Sequence, residues 1–449
     1  TTLQNHMKDL TKGKENWLIF YFALPMLFGN LFQQLYNVVD SAIVGKYLGD
    51  EALAAVGASF PIIFLLISLI IGVTIGGTIT ISHYYGAKQF DKVRTTTDTM
   101  NIVILLSSLV IGTIGILFSD QVFRLIELPE EIIPYASDYL QIYLLGLPFF
   151  FGFWNISAML RGVGDSKTPL YFLILSTLLN IALDFWFIAG LGWGIKAVAF
   201  ATIIAQGVGL IAAIIWINKN EMLRVRIKGI KFDLEVLKKS MRIGLPSGIQ
   251  HVLFSLGMLA IFGIVNQFGV KVIAAYSGAM RLDSLAIMPA MNFSGALSTF
   301  VGQNMGAGKF DRVKRGLQAT LGMSITSSFI ISITMYFFGE NLMSLFTSDP
   351  EVIQYGVDYL VISSSFYFVF SALFSVNAVM RGAGDMIIPM IITLISLWVV
   401  RIPFAWYFSG EMAEKAVWWS APVGWVTGVI LSTIYYYNGR WKRKFNVDK

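Results

Sequence analysis

Six ionisable side chains inside long apolar runs carry the chemistry that this sequence can offer: Asp40, Asp184, His251, Arg281, Asp283 and Arg401. An ionisable group in an apolar helix is costly to bury and marks a functional site by default. Spacing ties some of them to uncharged polar residues. Gln33, Tyr36, Asn37 and Asp40 follow an i, i+3, i+4, i+7 pattern and fall on one face of a helix. Thr177, Asn180 and Asp184 share a face of another, and Asn155 and Thr202 can complete an oxygen-rich cluster. Two carboxylates in a dry site repel, and one proton or one small cation relieves the repulsion. Carboxylate, amide and hydroxyl oxygens are hard ligands, so Asp40, Asp184 and Asn180 form a candidate Na+ site.

The remaining groups are more scattered. Arg281 and Asp283 are two apart and do not share a helical face. We expect them, with His251, Arg401, Gln33, Tyr36 and Asn37, to line a substrate cavity. The 18 Met, 35 Phe, 18 Tyr and 11 Trp suit an adaptable apolar cavity, since Met repacks easily. The chain has no cysteine, which removes disulfides, thiolate metal sites and Cys nucleophiles. Its three histidines, His6, His83 and His251, are far apart, and no nucleophile–base pair is visible. An enzyme is not expected, nor any cofactor beyond a coupling ion.

These side chains need elements to hold them, and composition says which. Of 449 residues 56% are hydrophobic and 13% charged, with mean hydropathy +0.68. A soluble chain would carry about 25% charged residues. Apolar runs long enough to cross a hydrocarbon core of about 30 Å recur throughout. We read twelve helical spans, at about 17–44, 51–82, 95–118, 134–160, 168–189, 194–217, 240–266, 272–303, 316–338, 353–380, 387–409 and 417–437. With Arg242 and Lys196, at the starts of their spans, counted with the adjoining loops, the N-terminus, the even-numbered loops and the C-terminus hold 26 Lys and Arg against five in the odd-numbered loops. Basic residues accumulate on the cytoplasmic side, so both termini are expected there, in a multi-pass protein of the inner membrane. The basic stretch at 218–240 then reads as a membrane-surface linker and not as a nucleic-acid site. Residues 1–16 form a polar N-terminus without the apolar core of a signal peptide. Without an initial Met, Thr1–His6 is expected to be foreign to the natural chain, with Met7 its start.

The chain repeats itself. "RGVGD" at 161–165 returns as "RGAGD" at 381–385, and "GAKQFDKV" at 86–93 as "GAGKFDRV" at 306–313, both at an offset of 220. "DYL" recurs at 138–140 and 358–360, and Leu24-Pro25 recurs as Leu245-Pro246. The expected architecture is an all-α membrane protein of two parallel six-helix repeats around a central cavity. Its parts are an N-lobe at 17–217, the linker at 218–240, a C-lobe at 241–437 and a basic tail at 438–449. The repeated Gly, Asp and Pro residues suit backbone turns and helix starts, so we read them as architecture. Chemistry belongs to what lacks a twin. Asn180 maps to Val400 and Asp184 to Phe404, so the first half carries polar groups where the second is apolar.

Twelve spans in two parallel halves, with these two motif pairs after spans 2 and 8 and after spans 4 and 10, resemble the multidrug and toxic compound extrusion (MATE) family. "LPMLFGNLFQQLYNVVDSAIVGKYLG" is similar to that family's first helix, with its embedded acid here Asp40. The resemblance covers essentially the whole chain and points to a prokaryotic, DinF-like branch. It implies an antiporter that exports small organic, cationic or amphipathic compounds in exchange for H+ or Na+. It also implies coupling through Asp40, Asn155, Asn180, Asp184 and Thr202, with helix 1 bending at Pro25. The partners implied are small organic substrates and the lipid bilayer, with the protein acting as a monomer. The alternative reading is a lipid or lipid-linked precursor flippase of the same superfamily. Such flippases often have fourteen spans and cationic cavities, so twelve spans and an acidic N-lobe favour the exporter. A major-facilitator transporter would carry D-x-x-G-R-R or a close variant after span 2, and "DKVRTT" lacks the Gly.

Overall fold

A computed structural model describes residues 7–125, 128–226 and 228–444. The residues beyond them, including Thr1–His6 and the last five of the basic tail, lie outside the described part. The described residues form ten unbroken apolar helices long enough to cross a membrane, and two bent helix pairs. With each pair taken as one span they number twelve, as the hydrophobic pattern predicts. In chain order these are α1 (Glu15–Leu48), α2 (Ala55–Gly86), α3 (Phe90–Leu125), α4 (Ile133–Leu145 with Leu147–Gly162), α5 (Lys167–Ile188) and α6 (Lys196–Ile217). The second half has α7 (Leu234–Phe268), α8 (Val270–Gly306), α9 (Phe310–Met343), α10 (Pro350–Ser364 with Tyr367–Gly382), α11 (Ile387–Met412) and α12 (Lys415–Asn438). No strand is present among the described residues.

The helices are inside-out relative to a soluble protein. On α3 the large apolar residues Leu105, Leu106, Leu109, Val110, Ile114 and Leu117 are exposed, while Ser108, Gly112 and Ser119 are buried. Its repeat partner α9 exposes Phe329, Ile330, Ile333 and Phe337 and buries Thr320, Ser324 and Ser328. In a bilayer, lipid satisfies the apolar face, and helices approach through small residues and hydroxyl hydrogen bonds. Ser328 accordingly meets the Ser371 hydroxyl of α10 at 2.6 Å.

Both bent spans break at repeat-equivalent places, α4 by 49° before Leu147 and α10 by 48° before Tyr367. In α4 the break holds Gly146, where a Cβ would lie 2.3 Å from Ile203 Cγ1 of α6. Pro148 follows and lacks the N–H that would continue the ladder. The RGxGD turns also keep their geometry. Gly164 and Gly384 take φ of +86° and +87°, where a Cβ is strained. Asp165 caps α5, accepting from the backbone N–H of Lys167 (3.1 Å) and of Thr168 (3.0 Å) and from the Thr168 hydroxyl (2.6 Å). The parallel expectation for Asp385 is corrected: its carboxylate accepts from the Tyr435 hydroxyl at 2.6 Å and caps no backbone N–H.

The chain divides into two compact units. One holds Leu24–Gly244 and the residues up to Asp9; the other holds Leu10–Ala23 and the residues from Leu245 onward. Besides the one at Asp9/Leu10, the divisions fall at Ala23/Leu24 and Gly244/Leu245, immediately before the repeated Leu-Pro. In the second unit the Leu10–Glu15 stretch is held by the GAGKFDRV region. Gln303 Oε1 accepts the Leu10 N–H (2.9 Å), Lys309 Nζ donates to the Thr11 carbonyl (2.8 Å), and Arg312 pairs with Glu15 (3.1 Å). Within the first unit the linker segment leading into α7 is held by α3. The backbone N–H of Lys231 donates to Asp98 Oδ2 (3.2 Å) and that of Asp233 to Thr99 Oγ1 (3.1 Å).

Candidate functional site

The first unit gathers its unrepeated polar residues in one place. Asp184 closes the α-helical part of α5 and is fully buried; a π-helical segment, Phe185–Gly190, begins at the next residue. Such a segment opens the backbone ladder by one residue and often marks a functional position. Asp40 comes in from α1, and its carboxyl lies within hydrogen-bonding reach of that of Asp184. One oxygen of each, Oδ1 in both, is buried without a partner. With its amide in the orientation its neighbours require, Asn180 donates to Asp184 Oδ2 (3.0 Å) and accepts the backbone N–H of Thr202 (3.1 Å). The Thr202 hydroxyl of α6 donates to the Val198 carbonyl (3.0 Å) and lies 3.4 Å from the Tyr36 hydroxyl of α1. Three helices thus meet at one carboxyl pair.

The chemistry follows from the donor count. Two carboxylates have acceptors only, so they can hydrogen-bond to each other only when a proton sits between them. Neither carboxyl forms an ion pair with a basic side chain among the described residues. Among the described residues no group of three or more His, Cys, Asp or Glu is assembled. The site's anionic part is these two carboxyls alone.

Other expected members stand apart. Asn155 is buried, but its amide donates to Asn101 Oδ1 of α3 (2.8 Å) and not to the carboxyl pair. Asn37 is exposed and bonds Gln34 (3.3 Å), and Gln33 is half-buried without a bond to the cluster. The α1 face predicted from spacing therefore sends Tyr36 and Asp40 inward and Asn37 outward.

The second unit has its own charged centre. Asp283 of α8 is buried, and Asp283 Oδ1 accepts the Tyr367 hydroxyl at 2.6 Å. Arg401, also buried, ends a second π-helical segment, Ile395–Arg401, with its Nη1 3.6 Å from the Met258 sulfur and its Nε without a partner. Arg281 points the other way and is exposed, and His251 is half-buried on α7 near Arg381.

Sequence reasoning passed over the tyrosines. Tyr139 lies within electrostatic range of Asp40 and Asp184, and Tyr359 within range of Asp283 and Arg401. They are the two copies of the DYL tyrosine, and repetition caused them to be read as architecture. The acids before them, Asp138 and Asp358, also lie inside spans and pair with Lys196 (3.0 Å) and Lys415 (3.7 Å).

Comparison with known proteins agrees with the fold and the repeat. The family model described as MatE matches residues 25–186 and again 246–407. The chain is 33% identical over 438 residues to "Probable multidrug resistance protein YpnP" of Bacillus subtilis, covering 97% of each. It is 29% identical over 437 residues to "Probable multidrug resistance protein NorM" of Thermotoga maritima, covering 94% of this chain and 92% of that protein. A solved structure described as "Crystal structure of MATE in the bent conformation" shares the fold with a TM-score of 0.91 at 23% identity, covering 97% of this chain and 98% of that one.

Proposed function

The chain belongs to the MatE family, and on that premise we propose that it is a secondary active antiporter for small organic, cationic or amphipathic compounds, driven by H+ or Na+. The reading rests on one observation: the carboxyls of Asp40 and Asp184 meet where Asp184 is fully buried, and among the described residues neither forms an ion pair with a basic side chain. A site built this way binds a cation from solution, and Asn180 and Thr202 fix its position. Binding neutralises the carboxyl repulsion and permits a different packing of α1, which has Pro25 in its interior as a bending point. That packing excludes substrate from the N-lobe. Cation and substrate then compete through a negative coupling free energy, which is what antiport by alternating access requires. The two acids titrate as a coupled pair, so the proton belongs to both.

The basic asymmetry supports placing both termini and the 218–240 linker on the cytoplasmic side of the inner membrane. The N-lobe and C-lobe would be the moving parts, in a protein that works as a monomer. The test is ethidium export from proteoliposomes under an imposed H+ or Na+ gradient. Asp40→Asn and Asp184→Asn should each abolish gradient-driven export while the protein still folds and binds ethidium. Normal gradient-driven export by both variants would refute the assignment.

A further inference from the structure

Among the described residues the chain passes between the two units at three places, Asp9/Leu10, Ala23/Leu24 and Gly244/Leu245. Two of these are repeat-equivalent and fall just before a proline inside a helix, Pro25 in α1 and Pro246 in α7. A proline removes one ladder hydrogen bond, so both places suit a hinge. The third has no twin. It lies ahead of α1, and Glu15–Ala23, about 13 Å of helix, separates it from the hinge at Leu24.

Each side of this third crossing is anchored in its own unit. In the first unit Met7 packs among Ile81, Met159, Leu160 and Val163, and Asn220 Nδ2 lies 3.5 Å from its sulfur. The Lys8 carbonyl runs against the RGVGD turn: a Cβ at Gly164 would stand 2.2 Å from it. In the second unit Leu10 is fully buried, and its N–H donates to Gln303 Oε1. Its carbonyl accepts from Asn304 Nδ2 (3.2 Å) and Arg312 Nη2 (3.3 Å), and Arg312 Nη1 donates to the Gly13 carbonyl (2.9 Å). Lys8 and Leu10 are two residues apart, and a chain spans at most about 3.3–3.6 Å per residue. The link between the two anchors is therefore at most about 7 Å of chain.

We propose that Met7–Asp9 is a releasable latch: docked in the first unit, it ties the units at a third point and blocks rotation about the two proline hinges, and released, it permits the rocking that export needs. This rests on the antiporter reading given above. The first-unit end is the one that lets go. The other end runs on into α1, whose start up to Ala23 belongs to the second unit, so undocking it would pull part of a spanning helix out of place. Undocking Met7–Asp9 withdraws only a short run of chain ahead of that helix.

The chain has no cysteine, so thiols can be placed singly or in pairs. Met7→Cys/Asn220→Cys sets two thiols where the Met7 sulfur and the Asn220 amide now meet, and a short reducible bifunctional thiosulfonate joins them. Ethidium export from proteoliposomes should stop in the joined protein and return on reduction, and neither single variant should respond to the reagent. The deciding variant adds about ten Gly and Ser residues between Asp9 and Leu10, up to about 33 Å of extra reach. With that slack the joined protein should export at the rate of the unjoined one. Export that survives joining without the insertion would overturn the proposal. So would a pair that cannot be joined, or a joined protein that the insertion fails to rescue. A second readout needs no transport: maleimide labelling of purified Met7→Cys and Thr11→Cys proteins. The two native side chains are almost equally buried, 9% and 6% exposed, so a difference in rate reports release. Met7→Cys should react several-fold faster, and equal rates or a faster Thr11→Cys would overturn the latch. The labelling answers even if no gradient drives export, the result that would refute the antiporter reading instead.

Discussion

Replacing Asp184 by Asn changes one formal charge and almost nothing else. The side chain is fully buried, and an amide of the same shape still offers its oxygen to Asn180. What is lost is the second negative charge of the pair. A charge-assisted hydrogen bond to a buried site contributes about 1.5–3 kcal/mol, and losing one weakens cation binding by about 10- to 100-fold. The consequence can be read without transport. A ligand that binds only the folded state at 100 times its Kd stabilises by about 2.7 kcal/mol. At the same concentration a variant with a 100-fold weaker site retains about 0.4 kcal/mol, a difference of about 2.3 kcal/mol.

The assay is thermal unfolding of purified protein, titrated with Na+ at fixed pH and then with pH at fixed Na+. The wild type should be stabilised along the coordinate of its coupling ion, and Asp184→Asn should be nearly flat along it. In the absence of that ion the variant should be at least as stable as the wild type, because like-charge repulsion has been removed. A variant that keeps both the full ion-dependent stabilisation and gradient-driven export would show that the pair is not the coupling site.

Further outcomes follow from the same geometry. Asp165→Ala should cost about 1–2 kcal/mol, through loss of the α5 cap, and should leave the identity of the driving ion unchanged; denaturation and export assays check both. Asp385→Ala should lower the melting temperature at least as much as Tyr435→Phe, since each removes the same 2.6 Å bond. Gly146→Leu should lose folded yield, because its first side-chain atom would already lie 2.3 Å from Ile203; overpacking of this kind costs about 1–3 kcal/mol, and detergent-solubilised yield reports it. A single Cys introduced at Lys228 in this Cys-free chain should be labelled by a membrane-impermeant maleimide only after the cytoplasmic side is opened, and labelling of intact cells would reverse the proposed orientation.

The number and order of the spans were legible because a bilayer imposes one strong rule, long apolar helices, on every segment that crosses it. The repeat was legible because turn and capping residues recur wherever the same backbone recurs. Side-chain direction was not legible to the same degree. The spacing of Gln33, Tyr36, Asn37 and Asp40 places them on one broad face, yet only Tyr36 and Asp40 turn to α5 and α6, because that face is wider than the contact. Asn155 was assigned to the carboxyl cluster, and its partner proved to be Asn101 on α3. Any buried amide satisfies itself with the nearest polar group, and spacing along one helix says nothing about its neighbour across the packing. The π-helical segments beside Asp184 and Arg401 had no sequence signal either. They arise where side-chain packing accommodates an extra residue in the helix, which is a tertiary effect.

The unrepeated Asp40, Asp184 and Asn180 do come together in the structure, while the repeated Tyr139 and Tyr359 near the buried acids were passed over, and the reason is physical. A duplicated scaffold keeps the residues that shape both centres, and a tyrosine that faces an acid in each half belongs to that set. Its phenol can donate to a carboxylate and pack against apolar neighbours whichever charges its half has acquired. Only the charges themselves need differ. Asp184 against Phe404, and Arg401 against Ile181, are single substitutions on a common frame. The second half answers its one buried carboxyl, Asp283, with the Tyr367 hydroxyl at 2.6 Å, whereas the first half sets Asp40 and Asp184 against each other, which is the arrangement that the proposed antiport needs.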